Sequence, residues 1–176
     1  MERSVIVAGF GGQGVMFLGQ VLSLAAMFEG KHVTWLPSYG PEMRGGTANC
    51  TVVISDDEVA SPVVDKPMDI IVMNIPSLLK FEKIVKEGGY IFMNTSVIDK
   101  ETQRKDVEVV KVEANKIAEE IGSSKIANMV MLGVYVAKTK VVKPESVFEA
   151  IRKKSKKEFI DMNIEAVKKG LEFLRS

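Results

Sequence analysis

The chain has 176 residues, enough for one domain with a sizeable core. Lysine and arginine number 24 against 23 aspartates and glutamates, a formal net charge of +1, so no bulk attraction for nucleic acid arises. Hydrophobic residues make up 46%, no apolar run reaches the ~18 residues of a membrane span, and Met1-Glu2-Arg3-Ser4-Val5 leads into a strand without the shape of a signal peptide.

A single cysteine, Cys50, excludes an internal disulfide and an iron–sulfur cluster held by this chain's cysteines alone. With a single histidine, His32, the composition also argues against zinc. The expected setting is a reducing cytoplasm, with no membrane and no nucleic acid as partners.

In chain order, Ser4–Ala8 is an apolar run that reads as a buried strand, and Val15–Leu22 opens a helix that Gly30 would end. Lys31–Leu36 is a second strand. Ala48–Ser55 is a third, with Ala48, Cys50, Val52 and Ile54 on one face. Asp69–Met73 is a fourth. Pro76 then suits a first helical turn, Leu78, Leu79, Ile84 and Val85 supply an apolar stripe, and Gly88-Gly89 stops it. Tyr90–Met93 and Val107–Val112 add two strands, Asn115–Ile121 a short helix ended by Gly122, and Ile126–Lys138 a long apolar helix. Pro144-Glu145-Ser146 begins a helix at Val147, and Phe159–Leu174 closes the chain as an amphipathic one. The alternation predicts an α/β fold: a three-layer α/β/α sandwich around a Rossmann-like, mostly parallel or mixed sheet, forming a single domain over residues 1–176. The basic run Arg152–Lys157 reads as a solvated helix junction, with contact to an acidic partner as the sharper alternative.

Between the first strand and helix lies Gly9-Phe10-Gly11-Gly12-Gln13-Gly14. Strand, glycine turn and helix is the setting in which such glycines bring backbone close to a phosphate at a helix start. The dinucleotide fingerprint also wants an acidic residue at the end of the second strand, where this chain has Trp35-Leu36-Pro37-Ser38; Glu29 lies at about the right spacing but precedes the strand. An NAD enzyme is therefore a weak reading, and phosphate or pantetheine binding by the turn stays open. A second dense segment, Ser38-Tyr39-Gly40-Pro41-Glu42-Met43-Arg44-Gly45-Gly46-Thr47, is a loop by composition. It reads either as a surface turn with an internal Glu42–Arg44 pair or as a recognition loop whose Arg44 holds a phosphate or carboxylate.

His32 reads as structural or surface, Cys50 as a buried inert thiol, and Met16, Met27, Met129 and Met131 as adaptable packing in a core or interface. Asn128, just inside an apolar helix, needs partners from a neighbouring loop or a subunit interface. The apolar Val15–Phe28 and Met129–Ala137 helices suggest a face covered by partner subunits, or by a second copy in a homodimer when the chain is alone.

The glycine turn, followed by Tyr39-Gly40-Pro41-Glu42-Met43-Arg44-Gly45-Gly46, resembles the gamma subunit of 2-oxoacid:ferredoxin oxidoreductases. Val53-Ile54-Ser55, Ser61-Pro62 and Asn128-Met129-Val130-Met131-Leu132-Gly133 share the resemblance, which covers nearly the whole chain. The loop is most similar to the 2-oxoglutarate type; branched-chain, pyruvate and indolepyruvate enzymes are relatives. The resemblance implies a cytoplasmic hetero-oligomer that oxidatively decarboxylates a 2-oxoacid to acyl-coenzyme A and reduces ferredoxin. Thiamine diphosphate and iron–sulfur clusters belong there to the alpha, beta and delta partner subunits. It makes this chain an accessory subunit, inactive alone and without a catalytic residue or metal site of its own. Coenzyme A contact is then expected at Gly11, Gly12, Gln13 and Gly14 and at Tyr39, Glu42, Arg44 and Gly45, both segments sitting at the carboxyl edge of the sheet. An independent nucleotide-binding enzyme and a purely structural interaction subunit are the alternatives.

Overall fold

The computed structural model describes residues 1–38 and 47–176. A six-stranded sheet has the order β2-β3-β1-β4-β5-β6, formed by β1 (Glu2–Phe10), β2 (His32–Ser38), β3 (Thr47–Ser55), β4 (Asp69–Val72), β5 (Tyr90–Asn94) and β6 (Glu108–Val112). β1 lies parallel to β4, from Val5 beside Asp69 to Ala8 beside Val72, and β4, β5 and β6 continue in parallel. β3 alone runs the other way, antiparallel to both β1 and β2. The carboxyl ends of β1, β2, β4, β5 and β6 therefore share one edge. Thr47, pairing with Phe10, stands there too.

The two faces are covered unequally. On one, Val5 and Val7 of β1, the alternate β3 residues Ala48, Cys50, Val52 and Ile54, and Phe92 of β5 pack against α1 (Val15–Phe28), α3 (Ala114–Ile121), α4 (Ala127–Thr139) and α5 (Pro144–Lys154). On the other, Ile6, Ala8, Ile70, Val72, Ile91 and Met93 meet α2 (Ile75–Phe81) and the turn after it. β1 is apolar over Val5–Ala8 and β4 over Ile70–Val72, because both faces of the sheet are covered there. The stripe of α2 consists of Leu78 and Phe81, three residues apart on one face, continued by Val85 after the 3₁₀ turn at Glu82–Ile84; Leu79, off that face, is 39% exposed and belongs to the solvent side.

α4 is buried from Ala127 to Val136. A helix apolar all round must be enclosed, and α6 (Ile160–Phe173) encloses it from outside. The two cross where Gly133 faces Gly170: a Cβ on Gly133 would meet the Val167 carbonyl, and one on Gly170 the Val130 carbonyl. The apolar face of α4 is thus covered within the chain. Met129 and Met131, both fully buried, are core rather than subunit-interface residues, whereas Met27 is 59% exposed.

The amino edge of the sheet is clamped by Asp69. Its buried carboxylate accepts from Arg3 Nε at 2.6 Å and Nη2 at 2.8 Å, from the Tyr90 N–H at 3.2 Å and from the Tyr135 hydroxyl at 3.2 Å. Burial pushes this carboxyl above its ordinary value, and Arg3 opposes the shift. The clamp ties β1, β4, β5 and α4 together on the side opposite the glycine turn.

Candidate site at the carboxyl edge

The glycine turn follows β1 without a break. Gly12 and Gly14 have φ of 94° and 71°, the left-handed region that glycine enters at no steric cost. Gly14 is the N-cap of α1, and with no side chain to cap the helix its first amides stay available. A Cβ on Gly14 would run into the Asn128 amide, whose Nδ2 donates to the Gly14 carbonyl at 3.0 Å. Asn128 thus finds its partner in a neighbouring turn, and its Oδ1 accepts from the Met129 N–H. On Gly12 a Cβ would face open space, so only the backbone angle demands glycine there.

Gln13 proves to be a clasp. Its Oε1 accepts from the Phe10 N–H at 2.6 Å, and its Nε2 donates to the Met73 carbonyl at 2.8 Å. The side chain joins the ends of β1 and β4, the switch point at which open α/β sheets hold ligands. Gly9 permits this, since a Cβ there would press on Gln13 Oε1 and on Met73. Among the turn residues expected to meet a cofactor, Gly11 and Gly12 are exposed, Gly14 is half-buried, and the Gln13 amide is committed to backbone at both ends. Tyr39, Glu42, Arg44 and Gly45 lie outside the described residues; their flanks, Ser38 and Thr47, stand at this same edge.

Several site residues carried no motif. Asn74 follows β4 and caps α2, its Oδ1 accepting from the Ser77 N–H at 2.8 Å. Asn94 ends β5, donates to Asn115 Oδ1 at 2.9 Å and accepts from the Ser96 and Ala114 amides. The signal was the same at both places, a Met-Asn pair closing an apolar strand run: Met73-Asn74 and Met93-Asn94. A small cavity of about 170 Å³ touches Gly12, Gln13, Met73, Asn115 and Lys125. Beyond Lys125 a larger one, about 480 Å³, has Phe17, Ile126, Phe159 and Met162 in its wall and Lys125, Lys154 and Lys156 around it. None of these three lysines makes an ion pair among the described residues. The basic run at 152–157 is a helix junction in solvent, and two of its lysines also border this cavity.

The remaining candidates are structural. His32 is exposed at the start of β2. Cys50 is buried, and that burial pushes its thiol up to about 12. Glu29 sits beyond α1 at the opposite edge, where its carboxylate accepts from the Lys143 N–H at 2.6 Å; it is far from any ribose the turn would hold. Among the described residues, no cluster of histidine, cysteine and carboxylates is arranged to hold a metal, and no helix is long and apolar enough to cross a membrane.

Residues 4–173 match the pyruvate ferredoxin/flavodoxin oxidoreductase family. The chain belongs to that family. It is 41% identical over 177 residues to ketoisovalerate oxidoreductase subunit VorA of Methanothermobacter marburgensis, covering 99% of this chain and 37% of the relative. The chain thus spans little more than a third of that relative's length. With 2-oxoglutarate synthase subunit KorC of the same organism it shares 35% identity over 181 residues, covering 99% of this chain and 97% of the relative. In structure it is similar to the gamma subunit of a keto/oxoacid ferredoxin oxidoreductase from Geobacter sulfurreducens, with a TM-score of 0.87, 27% identity and 99% of both chains covered. The Rossmann-like turn of this oxidoreductase family member is therefore set in a fold that recurs end to end in a gamma subunit.

Proposed function

We propose that the chain, acting as one unit over residues 1–176, is the gamma-type subunit of a multi-subunit 2-oxoacid:ferredoxin oxidoreductase. The observation that carries this is the near end-to-end relation to KorC, a chain of matching length. The complete enzyme converts a 2-oxoacid, coenzyme A and two oxidised ferredoxins to acyl-coenzyme A, carbon dioxide, a proton and two reduced ferredoxins. Alpha, beta and delta partners carry thiamine diphosphate and the clusters. The lone buried Cys50, with its thiol held neutral, does not fit a cluster ligand.

The residues of the carboxyl edge do fit coenzyme A, which when bound supplies the thiol that accepts the acyl group. The exposed Gly11-Gly12 backbone and the uncapped start of α1 suit a phosphate. Lys125, Lys154 and Lys156 add positive charge, and Phe17 and Ile126 offer apolar wall to a pantetheine arm. In sequence, Arg44 is the further candidate to hold an anion of the cofactor. Gln13 and Asn128 hold the turn in shape.

The substrate is 2-oxoglutarate, in keeping with the Ser38–Gly46 motif and with KorC. Ketoisovalerate is the second reading, favoured by the 41% identity to VorA. Reconstituting the complex and comparing kcat/KM for the two acids tests this. A preference for 2-oxoglutarate of tenfold or more is expected, and the opposite preference establishes the second reading. In the same complex Arg44→Ala and Lys125→Ala should each raise KM for coenzyme A several-fold with kcat nearly unchanged. Unaltered coenzyme A kinetics in both would leave the edge with a packing role.

A further inference from the structure

Another cavity lies away from the glycine turn. It is a groove of about 620 Å³ between the end of α4, the start of α5 and the second half of α6. α4 begins at Ala127, next to Asn128 and the turn it bonds, and ends at Thr139, so its 13 residues put ~20 Å between the two places. Val136 and Val142 lie buried beneath the groove, Leu171 is half-buried, and Leu174, 42% exposed, gives it most of its accessible apolar surface. Around it stand Lys140, Lys143, Lys168 and Arg175, with Glu172 as the one carboxylate.

None of the four cations makes an ion pair among the described residues. Three positive charges in excess on one groove contrast with a whole-chain net charge of +1. Complementing helix dipoles explains only part of this. Lys140 caps the end of α4 and Arg175 follows the end of α6, where cations are favoured. Lys143, however, is the N-cap of α5, the end at which a positive charge is disfavoured, and Lys168 sits within α6. Lys140 is also the one non-glycine residue with positive φ among the described residues, at 53°. Glycine or asparagine is the ordinary choice at such a cap. The lysine keeps an ammonium at the groove at a local conformational cost.

We propose that this groove docks an acidic segment of a companion polypeptide, an apolar side chain seated on Leu171 and Leu174 and flanking Asp or Glu residues meeting Lys140, Lys143, Lys168 and Arg175. The proposal rests on the multi-subunit reading above. Related sequence occurs both as a chain of matching length and as 37% of a longer one, in which further polypeptide is joined to it. Charge complementarity selects the occupant: an acidic segment matches the rim, whereas a basic one would be repelled.

The test uses the whole complex, recovered by co-expression with the partner subunits. Lysine acetylation footprinting is compared between the free chain and the complex. Lys140, Lys143 and Lys168 should be protected at least fivefold in the complex, with Lys86, which follows α2 on the other face of the sheet, as reference. The double variant K143E/K168E should lower recovery of partner tenfold or more, and raising salt from 50 to 300 mM should weaken wild-type recovery in the same direction. Equal labelling in free chain and complex overturns the docking site even if the variant folds poorly. Protection of the free chain by inorganic polyphosphate, with no added protection by partner, overturns it in favour of a small-anion site. Recovery of no partner at all overturns both this proposal and the multi-subunit reading, whereas partner recovered without protection overturns this one alone.

Discussion

At the scale of single residues, Gln13 illustrates how one amide can define a ligand edge. It supplies an acceptor to β1 and a donor to β4, groups that lie 60 residues apart in the chain for Gln13 and Met73. Gln13→Glu keeps the acceptor for the Phe10 N–H and loses the donor to the Met73 carbonyl. Gln13→Leu loses both. The expected costs are about 1 and about 2 kcal/mol, read as urea midpoints, with faster hydrogen exchange at the Phe10 amide in the leucine variant. Equal stability of the two variants and the wild type would mean the clasp contributes nothing. Cys50 offers a pH readout. With its thiol pushed up to about 12 by burial, the neutral form dominates at pH 8. Because burial favours the neutral form, reactivity rises only as pH climbs toward 12. Iodoacetamide should therefore leave the native chain unlabelled at pH 8 and label it fully in denaturant; fast native labelling would contradict the burial of the thiol.

At the scale of elements, the decisive contact is the α4–α6 crossing. Gly133 and Gly170 let two backbones approach until each would block a Cβ on the other. Gly170→Ala forces the helices apart against backbone atoms that have no rotamer to escape into, and should cost about 2–3 kcal/mol. Gly30→Ala is the control. Its φ of 74° strains an L-residue, but nothing lies within reach of the new Cβ, so about 1 kcal/mol is expected. Thermal unfolding of both variants checks the order, and a Gly170→Ala protein as stable as wild type would show that the helices slide without penalty. The same crossing explains a misreading from sequence. An uninterrupted apolar helix looked available for partners, and the partner is α6 of the same chain.

At the scale of the whole molecule, the chain presents two separated features: a polar, cationic carboxyl edge built on the glycine turn and a cationic groove near the opposite edge. The amino-edge clamp of Arg3, Asp69 and Tyr135 joins β1 and β4 to α4. On the proposed accessory role, the chain should turn over nothing by itself. The purified chain with 2-oxoglutarate, coenzyme A and an electron-accepting dye is expected to show no reduction of the dye. Turnover by the chain alone would refute the accessory role.

The sequence by itself determined the strand and helix order, the face of β3 that carries Ala48, Cys50, Val52 and Ile54, the turn between β1 and α1, and the family. These are local properties: side-chain period, glycine placement and short motifs are all readable within a dozen residues. Only the tertiary structure decided that Gln13 is tied to Met73, that Asn128 reaches the Gly14 carbonyl, that Glu29 belongs to the far edge, and that Lys125 stands beside the turn. It also decided that Leu79 faces solvent and that α4 is covered from within. Each of these depends on which distant segments meet. That is set by strand order and helix crossing, which a linear pattern of apolar and polar residues does not encode.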